Sequence, residues 1–328
     1  MLLLVVNTVS AGGGGRKDTS RGGEAIATFG YPYDEIGWIG EVVMSPTHDT
    51  LLFLTTRGIF YLPIADLSAS PQALMMDNRI SAVAYHPNGL FIAVGDIFGN
   101  ISVIDALTGD ILHTIQPDNQ LIYALAYSPD GNTLAIGDGG GNIRLWHIPM
   151  GEISIIPNAH DYYVTDVVYY PQAERLISVG GDGLIRLWDV TTTDFLFEVS
   201  PTPYISYLNI SPDGEHLIAS SRNNYGSRFD MNNPDTIEEG EHFFSSTHAD
   251  FSTDGEWLLL CVGDEIQLWT VFPLQLYAVV GSVSVGSDIA MVDYAYFIPN
   301  TDYIVSLNGN HLALWDITQA EIISSDDE

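Results

Sequence analysis

The sequence predicts an all-β protein built from seven repeated, four-stranded antiparallel units. The first observation is a recurring turn, Ser-Pro-Asp-Gly, which stands at residues 128–131 and 211–214 and in variant forms elsewhere. The second is its spacing, because successive turn markers are 41, 42, 42, 41, 41 and 46 residues apart. The markers are Pro46, Pro87, Pro129, Pro171, Pro212, Thr253 and Pro299. A regular period of this length is typical of stacked repeats rather than of one irregular core.

Each repeat has the same internal order, which is clearest in residues 160–199. β-Branched and aromatic residues fill the predicted strands, whereas Gly, Asp, Asn and Pro fill the connections. In the turn, Pro presets φ and Gly supplies the positive φ needed to reverse the chain. Four short strands per unit, repeated seven times, indicate a seven-bladed β-propeller, in which small sheets around an axis leave few edges exposed. The four strands of this repeat are predicted at 164–169, 175–179, 184–190 and 195–199.

The propeller is predicted to occupy residues 24–325 as one domain. Residues 1–23 are rich in glycine and poor in apolar side chains, so we expect a flexible lead-in. Residues 326–328 form an acidic tail. Segments 24–29 and 320–324 compete to be the outer strand of the last blade, and the amino-terminal one is favoured.

The charge is strongly negative, with 42 acidic against 10 basic residues and a formal net charge of −32. Such a surface repels phosphate backbones, so nucleic acid is not expected as a partner. Three explanations of the acidity stay open. It keeps a large β protein soluble, it adapts the protein to a salty setting, or it recognises a basic partner.

Compartment is only weakly indicated. The single cysteine, Cys261, lies in an apolar run and is predicted to be a small core residue. No apolar run approaches the roughly 18 residues of a membrane-spanning helix. Residues 1–6 are apolar but lack a basic leader, so the signal-peptide pattern is incomplete. We therefore expect a cytoplasmic location, with secretion left open.

Several third strands end in Leu-Trp, and these endings carry a family resemblance. Residues 184–189 read Leu-Ile-Arg-Leu-Trp-Asp, and similar endings recur at Trp146, Trp269 and Trp315. The pattern resembles that of WD-repeat β-propellers over most of the chain. The resemblance implies a hydrogen-bonded tetrad of His, Ser or Thr, a turn Asp and Trp within a blade. The repeat at 160–199 matches in full, with His160, Ser178, Asp182 and Trp188.

The other repeats depart from this pattern. Gly140 stands where the third repeat would carry the Asp, and Ile104 and Phe229 replace Trp in the second and fifth repeats. Because a buried Trp N–H or His needs a partner, exchanging whole sets for apolar packing is physically coherent. Pro63 interrupts the third strand of the first repeat, which predicts a bulge or a weakened strand there. The alternative propeller type is the Ser-Pro-Asp-Gly repeat of TolB-like proteins, which shares the turn.

No catalytic constellation is recognised. His242 and His248 lie near Glu238, where a weak metal site is conceivable, but a solvated loop is the favoured interpretation. The Gly-rich run 137–142 lies between two strands with no helix start or Lys behind it, so it is predicted to be a tight turn. No nucleophile elbow or cysteine pair is present. We therefore predict no enzyme activity, cofactor or metal. The alternative is an enzyme, or a small-molecule or metal sensor, that uses the central channel.

A candidate binding surface lies where the first strand of each repeat begins. Positions seven or eight residues before the turn marker fall on one face of the ring, and positions two residues further on lie beside them. The family resemblance implies that this face grips peptides and partner domains. These positions hold Trp, Arg and Tyr, which are enriched in binding hot spots, although they could simply cap the blades. The candidates, called the rim below, are Trp38, Arg79, Tyr123, Tyr163 and Tyr204.

The expected function is a non-catalytic scaffold that binds a protein or peptide partner through the rim. The acidic surface favours a basic partner, more by steering it than by adding affinity. The chain is expected to be a monomer or part of a complex. A piece of a longer scaffold is a further interpretation.

Overall fold

A computed structural model describes residues 24–47, 49–171, 175–200, 205, 207–221, 225–231, 239–244, 248–282, 284–285, 288–289, 292–298 and 300–322. The described strands form seven sheets of four or five antiparallel strands, together with one small hairpin. Helical structure in this part of the chain is a four-residue helix α1, Tyr33–Ile36, and two 3-10 turns, Ile64–Asp66 and Ile317–Gln319. The predicted all-β, seven-bladed architecture is confirmed.

Strand β1 is Ala27–Gly30. Blade 1 consists of Ile39–Met44 (β2), Thr50–Thr55 (β3), Gly58–Pro63 (β4) and Gln72–Met75 (β5). Blade 2 consists of Ile80–Tyr85 (β6), Phe91–Asp96 (β7), Ile101–Asp105 (β8) and Ile111–Ile115 (β9). Blade 3 consists of Ile122–Tyr127 (β10), Thr133–Asp138 (β11), Ile143–His147 (β12) and Glu152–Ile156 (β13).

Blade 4 consists of Val164–Tyr169 (β14), Arg175–Gly180 (β15), Ile185–Asp189 (β16) and Phe195–Val199 (β17). Blade 5 consists of Tyr207–Ile210 (β18), His216–Ser221 (β19), Tyr225–Asp230 (β20) and Glu239–Phe244 (β21). Blade 6 contains Ala249–Phe251 (β22), Trp257–Val262 (β23), Glu265–Thr270 (β24) and Gln275–Ser282 (β25). The hairpin Ser284–Val285 (β26) and Asp288–Ile289 (β27) follows. Blade 7 contains Tyr294–Ile298 (β28), Tyr303–Asn308 (β29) and His311–Asp316 (β30), after which comes Glu321–Ile322 (β31).

The two ends of the described chain pair with different blades, and the amino-terminal end closes the ring. Strand β1 pairs antiparallel with β30 and is the outer strand of blade 7, with Ala27 opposite Leu314. Strand β31 pairs instead with β25, as a fifth strand on blade 6. The two competing segments therefore lie in different blades, and the favoured amino-terminal one completes the seventh.

The recurring turn shows why each of its residues is needed. In the turn at 128–131, Ser128 Oγ donates to Asp130 Oδ1 at 2.6 Å and accepts from the backbone N–H of Thr133 at 2.9 Å. Gly131 has φ +75° and donates its N–H to the Ser128 carbonyl at 2.8 Å. Serine, aspartate and glycine thus supply the hydrogen bonds and the backbone conformation that the turn needs from within the turn itself, which explains their recurrence.

The hydrophobic core lies between adjacent blades. Ile101 and Val103 of blade 2, for example, pack in one buried cluster with Leu134 and Trp146 of blade 3. Ile104 and Phe229, which stand at Trp positions of the repeat, are fully buried. Cys261 is buried in the core of blades 6 and 7. This shared burial, worth roughly 25 cal/mol per Å² of apolar surface, holds neighbouring blades in fixed positions.

Pro63 does not break its strand. It is the last residue of β4 and lies opposite Thr50, so the missing N–H falls at the strand end. The irregularity in this part of blade 1 lies between Ile59 and Phe60, in the pairing of β4 with β5.

Candidate functional site

A buried network in blade 4 joins the four predicted tetrad residues. Trp188 Nε1 donates to Ser178 Oγ at 2.9 Å, and Ser178 Oγ lies 2.8 Å from His160 Nε2. His160 Nδ1 lies 2.9 Å from Asp182 Oδ1. Burial lowers the pKa of His160, so the ring is neutral at pH 7. Burial raises the pKa of Asp182, but hydrogen bonds from His160, Leu184 and Arg186 outweigh that and hold the pKa at about 2.

The order Ser-His-Asp also occurs in hydrolases, but this serine has a different environment. Ser178 is fully buried, and its Oγ is held by both His160 and Trp188. A nucleophile must reach its substrate, and the Ser178 Oγ has no open side from which a substrate could approach. The network therefore acts as internal support for blade 4.

That support extends to the rim. Asp182 Oδ2 accepts the backbone N–H of Asp161 at 3.2 Å, and the N–H of Gly181 donates to the Tyr163 carbonyl at 2.8 Å. These two hydrogen bonds hold the loop that carries Tyr162 and Tyr163 against the turn between β15 and β16. The tetrad thus positions two exposed tyrosines at the start of blade 4.

The same backbone contact recurs in blades 1 to 4. In each, an N–H from the turn between the second and third strands donates to the carbonyl of the residue eight positions before the turn marker, directly before the first strand. The donor–acceptor pairs are Thr56 to Trp38 at 3.0 Å, Ile97 to Arg79 at 3.0 Å, Gly139 to Leu121 at 2.8 Å and Gly181 to Tyr163 at 2.8 Å. The alignment made on the distant turn therefore selects structurally equivalent positions in these four blades.

The structure brings some rim side chains together and separates others. Tyr123 and Tyr163 stack across blades 3 and 4, with ring centroids 5.0 Å apart and planes inclined by 24°. Trp38 is 56% exposed at the mouth of the central channel in blade 1. Arg79 forms a two-pronged pair with Asp77, at 2.8 and 2.5 Å, in blade 2. Tyr204 lies outside the described residues.

The channel is a cavity of about 670 Å³ whose wall mixes apolar and polar side chains, among them Trp38, Tyr123, Glu41 and Asp166. Burial raises the pKa of Asp166 to about 7, against the opposing effect of the N–H groups of Leu208 and Val167. The part of the chain that the structure describes holds no group of three metal-ligating side chains.

Partly buried carboxylates also join neighbouring blades. Asp166 of blade 4 accepts the backbone N–H of Leu208 in blade 5 at 2.8 Å. Asp250 of blade 6 accepts the N–H of Phe297 in blade 7 at 3.0 Å, and burial raises its pKa to about 7 as well. Each carboxylate thus adds a hydrogen bond between two neighbouring blades.

One ion-pair cluster was missed by the sequence reasoning. Gly140 indeed replaces the turn aspartate in blade 3, but Asp138, at the end of β11, takes over its role by accepting the N–H groups of Gly140 and Asn142 at 2.8 and 3.0 Å. Asp138 also binds the Arg144 guanidinium, which contacts Asp118 on its other side. The available signal was the Gly-Asp pair that ends the second strand in blades 2 and 3, at 95–96 and 137–138.

Gly141 fixes the distance between blade 3 and the tyrosine-bearing loop. Its φ is +77°, and a Cβ there would overlap the carbonyl oxygens of His160 and Tyr162. We expect Gly141→Ala to lower the free energy of unfolding by about 2–4 kcal/mol, since left-handed strain and overpacking add. Denaturant midpoints measure the effect. Gly151→Ala is the matched control, because φ is +68° there with no described heavy atom within 4 Å, and it should cost only about 1 kcal/mol. Equal losses of unfolding free energy in the two variants would show that the close approach of Gly141 to the carbonyl oxygens of His160 and Tyr162 is unimportant.

The described fold defines the class of protein, a seven-bladed β-propeller of antiparallel four-stranded sheets. The family model for the WD domain, G-beta repeat, matches residues 109–147 and 151–189, and that for the anaphase-promoting complex subunit 4 WD40 domain matches residues 67–126. With the seven blades, these matches identify the chain as a WD-repeat β-propeller. Each G-beta match covers the outer strand of one blade and the three inner strands of the next.

Other comparisons add the fold alone. The β-propeller domain of Cps50 (Swd1) from Myceliophteria thermophila is similar, with a TM-score of 0.71 and 14% sequence identity, covering 85% of this chain and 96% of that one. No curated protein matches the chain. WD-repeat propellers commonly serve as protein-interaction scaffolds and are generally non-catalytic. The longest described helix has four residues, and none of the described helices could cross a bilayer.

Proposed function

We propose that this protein is a non-catalytic scaffold that binds a protein partner by taking a loop or peptide of that partner onto the rim. One observation carries the proposal. Trp38, Arg79, Tyr123 and Tyr163 are exposed on one face of the ring, with Trp38 and Tyr123 at the channel wall, and the backbone of this face is held by the turns of blades 1 to 4. Exposed aromatic and arginine side chains on a rigid backbone bind at low entropic cost.

The charge distribution supports a basic partner. The formal net charge is −32, and the arginines Arg79, Arg144 and Arg186 are each paired with carboxylates of the same chain. Little positive charge is left in blades 2 to 4 to repel a cationic segment. A negative surface raises the rate at which such a segment arrives, and salt reduces that effect.

Affinity capture from the native lysate tests the proposal. A variant with Trp38→Ala, Arg79→Ala, Tyr123→Ala and Tyr163→Ala is compared with the wild type at low and high salt. We expect at least one protein to be captured by the wild type, more strongly at low salt, and lost by the rim variant. Recovery of every captured protein by the rim variant would contradict the proposal.

The opposite face of the ring supplies the control. Leu107 and Phe272 lie in connections between third and fourth strands and are 79% and 80% exposed. A Leu107→Ser and Phe272→Ser variant removes exposed apolar surface of a similar kind far from the channel mouth. It should retain the captured partner. Thermal melting of both variants separates loss of binding from loss of folding.

A further inference from the structure

Tyr123 and Tyr163, called the tyrosine pair below, form a preorganised aromatic surface. The rings are stacked, and the residues are 40% and 42% exposed. Glycine lies beside each ring in the turn of its own blade. A Cβ on Gly139 would lie 3.5 Å from Tyr123 Cε2, and a Cβ on Gly181 would lie 3.0 Å from Tyr163 Cζ. The turns of blades 3 and 4 thus leave room for the rings, whereas blade 2 carries exposed Ile97 and Phe98 in its corresponding turn.

Carboxylates outnumber cations in these two blades. Arg144 contacts Asp118 and Asp138, so this cluster holds two carboxylates and one guanidinium. Arg186 likewise contacts Asp182 and Glu198, at 2.8 and 3.1 Å. Each cluster therefore keeps an excess negative charge.

The surroundings of the tyrosine pair add to this charge. Exposed Asp161 lies two residues before Tyr163. His160 is neutral, because burial lowers its pKa. Arg175, the remaining cation of blades 3 and 4, begins β15 at the end far from the rim. A cationic group at the tyrosine pair would thus meet aromatic rings, with exposed Asp161 beside Tyr163 and a surplus of negative charge in both blades.

We infer that the tyrosine pair binds the guanidinium group of an arginine side chain in a basic segment of the partner. The inference rests on the proposed function and deepens it. A guanidinium is planar and weakly hydrated, so it stacks on aromatic rings while its N–H groups donate to carboxylates. A lysine ammonium is a strongly hydrated point charge that gains less from such a surface. An uncharged aromatic or aliphatic ligand would make no use of the surplus carboxylates.

Two labelled peptides test the inference on the full chain. The probes are fluorescein-Gly-Gly-Arg-Gly-Arg-Gly-Gly and its lysine counterpart, and binding is followed by fluorescence anisotropy. We expect the wild type to bind the arginine peptide about fivefold more tightly than the lysine peptide. Equal affinity for the two peptides, or no binding of either, would overturn the inference.

Variants of the tyrosine pair and of Asp161 test which residues produce the preference for the arginine peptide. Tyr123→Leu with Tyr163→Leu should abolish the arginine preference, whereas Tyr123→Phe with Tyr163→Phe should keep it within about twofold, because the ring faces persist. The phenylalanine variant also shows that the site tolerates substitution. Asp161→Asn should weaken the binding of both peptides about twofold, because it removes one negative charge beside Tyr163. An unchanged arginine preference in the leucine variant would place the site elsewhere and overturn the inference.

The inference and the proposed function fail in different ways. If a captured protein is lost by the four-site rim variant but the peptides show no arginine preference, the scaffold proposal is supported and the arginine site is contradicted. If the arginine preference depends on the tyrosine pair but no captured protein depends on the rim, the scaffold proposal falls.

Discussion

Replacing Asp138 with alanine is expected to lower the free energy of unfolding by about 3–5 kcal/mol, one of the two largest effects predicted for this chain. Asp138 is fully buried, and its carboxylate accepts two backbone N–H groups as well as the Arg144 guanidinium. Its removal leaves these donors unpaired in the interior. The arginine side chain is only 9% exposed and keeps Asp118 alone as an acidic partner. Denaturant midpoints, followed by tryptophan fluorescence, measure the loss.

Blade 2 offers the matched control. Asp96 ends β7 as Asp138 ends β11, and it accepts the N–H groups of Phe98 and Asn100 at 2.8 and 2.9 Å. Within the described residues no arginine forms an ion pair with it, and Arg79 interacts with it only at longer range, so Asp96→Ala should cost only about 1–2 kcal/mol. Adding Arg144→Met to Asp138→Ala should recover much of the loss, because the unpaired charge is then gone. If Asp138→Ala and Asp96→Ala lowered the free energy of unfolding by similar amounts, and Arg144→Met restored none of it, the ion pair between Asp138 and Arg144 would contribute little.

Replacing Asp250 with asparagine is expected to stabilise the protein at pH 8 by about 1–3 kcal/mol, with the effect shrinking as the pH falls and almost absent below about pH 4. Burial raises the pKa of this carboxyl from 3.8 to about 7 in the folded state. The folded state therefore binds a proton that the unfolded state releases, and this contribution is fully present below about pH 4 and lost as the pH rises through 7. Asparagine Oδ1 can still accept the N–H of Phe297 without carrying charge.

Thermal melting between pH 5 and pH 8 follows the effect. The wild type should melt at a lower temperature at pH 8 than at pH 5.5, and Asp250→Asn should flatten that slope. Asp302→Asn, at an exposed position, removes the same charge from the surface and controls for the net charge of −32. Identical profiles for wild type and Asp250→Asn would rule out the Asp250 carboxyl as the cause. Stability must fall again in acid, because Asp182, with a pKa of about 2, loses its contribution as the pH drops below about 4.

The fold could be predicted because its determinants are local and repeated. Ser128, Asp130 and Gly131 satisfy one another within six residues, so the turn is visible in the sequence wherever it occurs. The residues of the blade 4 tetrad were identified because the family pattern fixes their types and spacing. The sequence favoured the amino-terminal segment as the closing strand without deciding the choice, since both segments have strand-like sequences and only their pairing with blades 6 and 7 places them.

Contacts between blades were less predictable. The stacking of Tyr123 on Tyr163 joins residues in different repeats and depends on the small turns beside them. The role of Asp138 was missed because the family pattern points to Gly140, two residues later. Recognising the substitute requires knowing that the Arg144 side chain reaches back across the turn.

The repeat in the sequence and the blade in the structure are offset by one strand. The residues matched as one WD domain, such as 109–147, supply the edge of one blade and the body of its neighbour. Each matched repeat therefore contributes strands to two neighbouring blades, and the sheets it contributes to also contain strands of adjacent repeats. Loosening one repeat removes hydrogen bonds from two adjoining blades at once. Separating two neighbouring repeats would therefore break strand pairing as well as apolar contacts. Residues on different blades at the channel opening thus keep fixed distances from one another while a ligand is bound.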